Sequence, residues 1–137
     1  PSKREQRIAV SARITPPGGK PFLFVGLHLD ATRDDGDRWL QAGRLLELFG
    51  EGTGPAVFAG DFNATPESRV MGRVLPRWSD SAAASPAATV PAEKPSERID
   101  FILHRPGTGW TVRRSEVLAE AVASDHRAVL TEFSLPR

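Results

Sequence analysis

Six side chains in this sequence have the types that acid–base and phosphate chemistry needs, and each stands at or beside an expected strand end. His28 comes near the end of the apolar run Phe22 to Leu29, and Asp30 follows it. Asp61 and Asn63 follow the run Pro55 to Ala59, with Gly60 between. Asp100 lies between Ile99 and Phe101, and Asp125-His126 stands just before Ala128 to Phe133. An aspartate hydrogen-bonded to a histidine fixes the imidazole tautomer and raises its basicity. A second aspartate can bind a hard divalent ion such as Mg²⁺ or Mn²⁺ through oxygen. A third, with an asparagine, can orient a water and a leaving group. Such a set hydrolyses a phosphate ester by metal-assisted in-line attack. Zinc is disfavoured, because the 3 histidines are not spaced as a ligand pair and there is no cysteine.

Each group also has a plainer reading. His28 among apolar neighbours can be a core histidine with a satisfied hydrogen bond. Asp-x-Asn after a strand can be a turn, and Ser124-Asp125-His126 can cap one. Asp100 can face solvent; buried, it needs a partner, and histidine is the natural one. In extended backbone Asp61 and Asn63 project to one side, and Gly60 permits close approach to the chain. His104 reads as a surface strand-end histidine, and Arg113-Arg114 as a solvated face.

The elements that must carry these groups follow from patterning. Gln6 to Thr15 alternates as a half-buried strand, and Pro16-Pro17-Gly18-Gly19 is a turn into the nearly all-apolar strand Phe22 to Leu29. Asp37 to Phe49 has helical spacing, with Asp37 to cap it and Gly50 to end it. A strand ends at Asp61, and Thr65-Pro66 opens a short helix to about Leu75. Trp78 to Ser81 reads as a short extended piece. Ala82 to Glu97, with its three prolines, reads as a surface excursion rather than core. Strands follow at Ile99 to His104, Trp110 to Leu118 and Ala128 to Phe133. This order predicts an α/β (α+β) layered domain with a mixed or largely antiparallel sheet.

Composition narrows the function. The 137 residues suffice for one domain with a core, and 39% hydrophobic with 26% charged content is that of a globular protein. Lys plus Arg number 18 against 17 acidic residues, which argues against a polybasic nucleic-acid binder. No apolar run has the length of a membrane span. The start at Pro1 shows no signal-peptide core and no initiating methionine, so the sequence is expected to be part of a longer chain.

Four motifs occur in order: Gly26-Leu27-His28-Leu29-Asp30, Gly60-Asp61-Phe62-Asn63, Arg98-Ile99-Asp100-Phe101-Ile102 and Ser124-Asp125-His126-Arg127. In that order they resemble the carboxy-terminal half of the endonuclease/exonuclease/phosphatase superfamily. The resemblance implies a four-layer α/β sandwich, of which this chain is one half, and hydrolysis of phosphate esters with Mg²⁺ or Mn²⁺. Carried over, His28 helps bind or protonate the phosphate. Asp61 orients the nucleophile or protonates the leaving group, and Asn63 holds that group and the phosphate. Asp100 pairs with His126, which stands near the scissile phosphate, and Asp125 is a metal-binding acid. Gly26 stands where the family usually has an asparagine. The family's amino-terminal half, with a strand-end asparagine and a glutamate metal ligand, has no counterpart here.

The expected function is a metal-dependent phosphodiesterase or nuclease; the alternative is a catalytically incomplete half-domain. The substrate is a phosphate ester of nucleic acid, phospholipid head group or sugar. Lys94 and Arg98 are candidates to meet its phosphate. A sheet left uncovered would favour self-association.

Overall fold

The structure, a computed structural model, describes residues 5–135. The first four residues, part of the segment read above for a leader, lie outside the described residues. The elements are β1 (Ala9–Ile14), β2 (Phe22–His28), α1 (Gly36–Phe49), β3 (Ala56–Asp61), α2 (Arg69–Val74), β4 (Ser79–Asp80), β5 (Asp100–His104), β6 (Thr111–Val117) and β7 (Val129–Ser134). The first sheet has the order β1-β2-β3-β5-β4, and β6-β7 form a second sheet of two strands. β2 and β3 are parallel, joined through α1 as a parallel pair requires, and the other neighbours are antiparallel. The sheet is therefore mixed.

Side chains alternate across a strand, so each interior strand serves two layers. On one face Val25, Leu27, Phe58, Phe101 and Leu103 bury against Ala42, Leu45 and Leu46 of α1 and Val70, Met71 and Val74 of α2. Phe58 is the centre of this layer. It stacks on Trp78 at 3.9 Å between ring centroids and meets Phe49 edge-on at 6.2 Å. On the other face, Phe22, Phe24, Val57, Ala59 and Ile102 look toward the second sheet across a space lined by Trp110 and Phe133. Trp110 meets Phe22 edge-on at 4.9 Å and Phe133 at 5.1 Å. Helices, mixed sheet and second sheet thus stack as an α/β sandwich.

β1 differs from the expected half-buried strand: all six of its residues are exposed. Ile8, Val10 and Ile14 lie open on the face that β1 shares with Phe22 and Gly26, because β1 contacts β2 alone among the named elements. The helices also begin differently from expectation. α1 starts at Gly36 behind Asp35, whose carboxylate takes two hydrogen bonds from Arg69, at 2.9 and 2.6 Å. Asp37 falls in the first turn, where a negative charge suits the helix dipole. α2 is capped by Ser68, whose hydroxyl accepts the Met71 amide at 3.3 Å. The Thr65 carbonyl instead closes a turn onto the Ser68 amide, which delays the helix past Pro66. Between the helices, Gly43 leaves room for the Arg73 guanidinium, which lies 3.9 Å from the Trp39 ring and donates to the Trp39 carbonyl at 3.0 Å.

The loop after β2 is built on Asp30, which is buried. Its carboxylate accepts the Thr32 amide at 2.9 Å and the Thr32 hydroxyl, and Arg38 donates to its carbonyl at 3.0 Å. Those Thr32 bonds hold the Asp30 pKa below the usual carboxylate value despite burial.

Two outcomes follow. Phe58→Ala is expected to lower the unfolding free energy in urea by ~3–5 kcal/mol, as a fully buried aromatic does when truncated. A loss under ~1 kcal/mol would show that the helix-side core does not depend on it. Asp30 is ionised more readily folded than unfolded, so its contribution is present above its unfolded pKa near ~3.9 and fades as pH falls through the lower folded value. Asp30→Ala should therefore lower the urea midpoint at neutral pH, with the gap narrowing below about pH 4. A gap unchanged across that range would count against this role.

Candidate active site

β2, β3 and β5 end in one row. His28 pairs in register with Asp61, and Asp61 with Asp100. All three lie on the face away from the helices, since their neighbours Leu27, Gly60 and Phe101 alternate to the helix side. Gly60 makes the row close. Its φ is +148°, and a Cβ there would overlap the Leu27 carbonyl, so only glycine fits. Past the strands, the Leu29 amide donates to Asp61 O and the Phe62 amide to Ile99 O, both at 2.9 Å.

Asp61 is largely buried, with 14% of its side chain exposed, and its Oδ2 lies 3.3 Å from His28 Nε2. Its Oδ1 accepts the Asn63 amide at 2.7 Å. Burial pushes the Asp61 carboxyl up. The Asn63 amide opposes this and the Asp100 charge adds to it, leaving the pKa above the ordinary value. Asn63 is not in extended backbone as the spacing suggested: its φ is +48°. The chain turns there, and Asn63 Nδ2 donates to the Leu29 carbonyl at 3.0 Å, tying the β3 exit to the β2 exit. Left-handed backbone suits asparagine, so the Asp-x-Asn turn and the strand-end site are one structure.

Asp100 Oδ2 lies 2.9 Å from His126 Nδ1. Donation from Nδ1 leaves Nε2 facing outward as acceptor or donor. Burial pushes the His126 imidazole down. The hydrogen bond to Asp100 and the charges of Asp100, Asp61 and Asp125 outweigh that, and its pKa stands above the ordinary value. The sequence order His28, Asp61, Asp100, His126 becomes a spatial row in which each carboxylate has a histidine beside it. An open cleft of about 320 Å³ runs past Asp100, Ser124 and His126.

Ligand atoms of Asp61, Asp100 and His126 all lie within 4.8 Å of one another. Two carboxylate oxygens and an imidazole nitrogen so placed form a donor set that could hold a divalent metal ion. Asp125 stands outside this group. It is exposed, its Oδ1 takes the Ser124 hydroxyl at 3.4 Å, and its carbonyl accepts the Ala92 amide at 2.7 Å.

Three other expectations change. The excursion 82–97 is not all surface, since Ala82, Thr89 and Ala92 are buried. Arg98 is not free for a phosphate: it is buried, forms a two-point pair with Asp80 at 2.7 and 2.7 Å, and lies 4.4 Å from the Phe101 ring. Lys94 is exposed. His104 is half-buried against Phe133, its Nδ1 lies 3.0 Å from Ser81 Oγ, and burial pushes its pKa down. Arg113 and Arg114 are exposed on β6, and Arg114 pairs with Glu116 at 2.6 Å, in keeping with a solvated face. Sequence reasoning missed the Asp80–Arg98 pair and Thr89. The apolar stretch Ala87-Ala88-Thr89-Val90 inside a Pro-rich segment was the available signal.

Among solved structures, the chain is 28% identical to an endonuclease/exonuclease/phosphatase from Bacteroides vulgatus, with a TM-score of 0.80, covering 95% of this chain and 56% of that one. It is 25% identical to the mannosyl-6-phosphatase of Bacteroides thetaiotaomicron, with a TM-score of 0.78, covering 94% and 57%. The human nocturnin catalytic domain with bound sulfate anion, at 19% identity and a TM-score of 0.66 over 95% and 53%, shares the fold. The chain thus spans little more than half the length of these proteins. No curated protein sequence matches it significantly. The model of the Endonuclease/Exonuclease/phosphatase family matches residues 4–126. With nearly the whole sequence matched and the fold shared, this chain belongs to the endonuclease/exonuclease/phosphatase family.

Proposed function

We propose that the protein hydrolyses phosphate esters with a divalent metal, and that its substrate is a phosphodiester, as in a nuclease. The observation that carries this reading is the row His28–Asp61–Asp100–His126, two carboxylates at adjoining strand ends, each with an imidazole beside it, and an open cleft running past Asp100 and His126. In this reading Asp100 holds the His126 ring so that Nε2 meets the phosphate. Asp61, largely withdrawn from water and raised in pKa, accepts a proton from the attacking water or returns one to the leaving oxygen. His28, the more exposed histidine, contacts a phosphate oxygen. Asn63 fixes the mouth of the site through Leu29 and offers its side-chain oxygen there. The Asp61 and Asp100 carboxylates would hold the ion beside the His126 ring, with Asp125 a further acid on the segment that carries His126; when bound, the ion would supply Lewis-acid charge for the phosphoryl oxygens. The chain's length relative to its family neighbours leaves room for further ligands from elsewhere in the protein.

A second reading, a sugar phosphate monoester, is favoured by the likeness to a mannosyl-6-phosphatase at 25% identity. Among the described residues no helix is long and apolar enough to cross a membrane.

Hydrolysis of bis(4-nitrophenyl) phosphate and of a hexose 6-phosphate, with Mg²⁺ or Mn²⁺, separates the two readings. Faster turnover of the diester supports the first and faster release from the sugar supports the second. EDTA should abolish turnover, and added Mg²⁺ or Mn²⁺ should restore it. Asp61→Ala and His126→Ala should each lower turnover at least ~10²-fold, the size acid–base groups supply. Undiminished turnover in both variants would remove these residues from the mechanism.

A further inference from the structure

His126 has no strand to hold it. It lies between the end of β6 at Val117 and the start of β7 at Val129, and residues 118–120 and 122–125 are exposed. Within the segment the His126 amide donates to Ser124 Oγ at 3.2 Å, and further hydrogen bonds tie the segment to other parts of the chain. Three of those bonds come from the buried part of the 82–97 excursion. The Ala92 amide donates to the Asp125 carbonyl at 2.7 Å, Arg127 Nε donates to the Ala92 carbonyl at 2.7 Å, and the Arg127 amide donates to the Thr89 carbonyl at 2.8 Å.

Thr89 is the residue common to both partners of the pair. It is fully buried, with 0% exposure. Its carbonyl takes the amide of the residue after His126. Its hydroxyl Oγ1 takes the amide of Ile99, the residue before Asp100, at 3.3 Å. Its own amide donates to the Glu97 carbonyl at 2.7 Å, closing the excursion on itself, and the next residue along is pinned by the Arg98–Asp80 pair.

We propose that Thr89 is a positioning residue for the Asp100–His126 pair, fixing the backbone on the Asp100 side with its hydroxyl and on the His126 side with its carbonyl. It touches neither substrate nor ion and acts only through the pair, which is how outer groups set ring orientation at hydrolytic sites. The inference rests on the reading that His126 works at the phosphate, but the geometry it claims can be measured without turnover.

Thr89→Val keeps the buried volume and removes the acceptor for the Ile99 amide; Thr89→Ser keeps the acceptor. In ¹⁵N-labelled protein at fixed pH, the His126 Nδ1 proton bonded to Asp100 should give a slowly exchanging signal. In Thr89→Val that signal should vanish or exchange about tenfold faster, the Ile99 and Arg127 amides should lose protection, and kcat should fall ~10-fold with KM within about twofold. Thr89→Ser should restore all of these to near the unsubstituted protein. If the signal and amide protection persist in Thr89→Val, the proposal is overturned, even if kcat falls. If the protein hydrolyses no phosphate ester, the proposed function fails while the ring proton still decides the positioning. Should Thr89→Val not fold, Thr89→Ala removes the same hydroxyl acceptor with less side chain to accommodate. It should loosen the same ring proton, and an undisturbed signal there would overturn the proposal.

Discussion

Three strands end side by side, and the backbone at Gly60 is what allows it. Because that position has no Cβ, β3 can run against the Leu27 carbonyl in a conformation closed to other residues. The register then puts Asp61 opposite both His28 and Asp100. Two carboxylates so placed repel, and burial makes that repulsion count. The arrangement is tolerable because each acid has a base at its flank, His28 for one and His126 for the other. Within this row burial is the main cause of the raised Asp61 carboxyl, with the Asp100 charge adding to it, whereas the His126 imidazole is raised against burial by its hydrogen bond to Asp100 and the charges of the neighbouring acids.

The layers explain why the His28–Asp61–Asp100–His126 row sits on this face and not the other. Phe58, Phe101 and Leu103 are consumed by packing under α1 and α2, so every second residue of the interior strands is committed to the core. The alternate residues look toward the sheet of β6 and β7. Loops then close on the ends: Asn63 reaches Leu29, and the segment before β7 brings in His126. Membership of the endonuclease/exonuclease/phosphatase family accords with this division between a rigid sheet and a site made at its end.

Much of this could be read in the residues because strand alternation and turn residues are local signals. Phe22 to Leu29 and the run ending at Asp61 fall where their apolar character puts them, and Asp100 faces away from Phe101 as a period of two requires. What escaped depended on partners distant in the chain. Nothing near Arg98 reveals that Asp80 will neutralise it, and nothing near His104 reveals Ser81 and Phe133. β1 reads as half-buried from its own alternation, yet burial needs a second surface, and among the named elements β1 meets only β2. Asn63 shows the limit of extending a strand pattern one residue too far. Its own side chain favours the left-handed turn that ends the alternation.

The packing of Arg73 across α1 bears on how this chain can vary. A glycine inside a helix costs about 1 kcal/mol against alanine, so Gly43 is a position where drift toward alanine would ordinarily be favoured. Here a methyl group would enter the space that the Arg73 guanidinium occupies, between the Trp39 ring and its carbonyl. Residues 43, 73 and 39 are therefore coupled: alanine at 43 requires the Arg73 side chain to swing away from the Trp39 ring or to be shortened, which leaves that ring only the more distant Arg69 guanidinium at 5.8 Å.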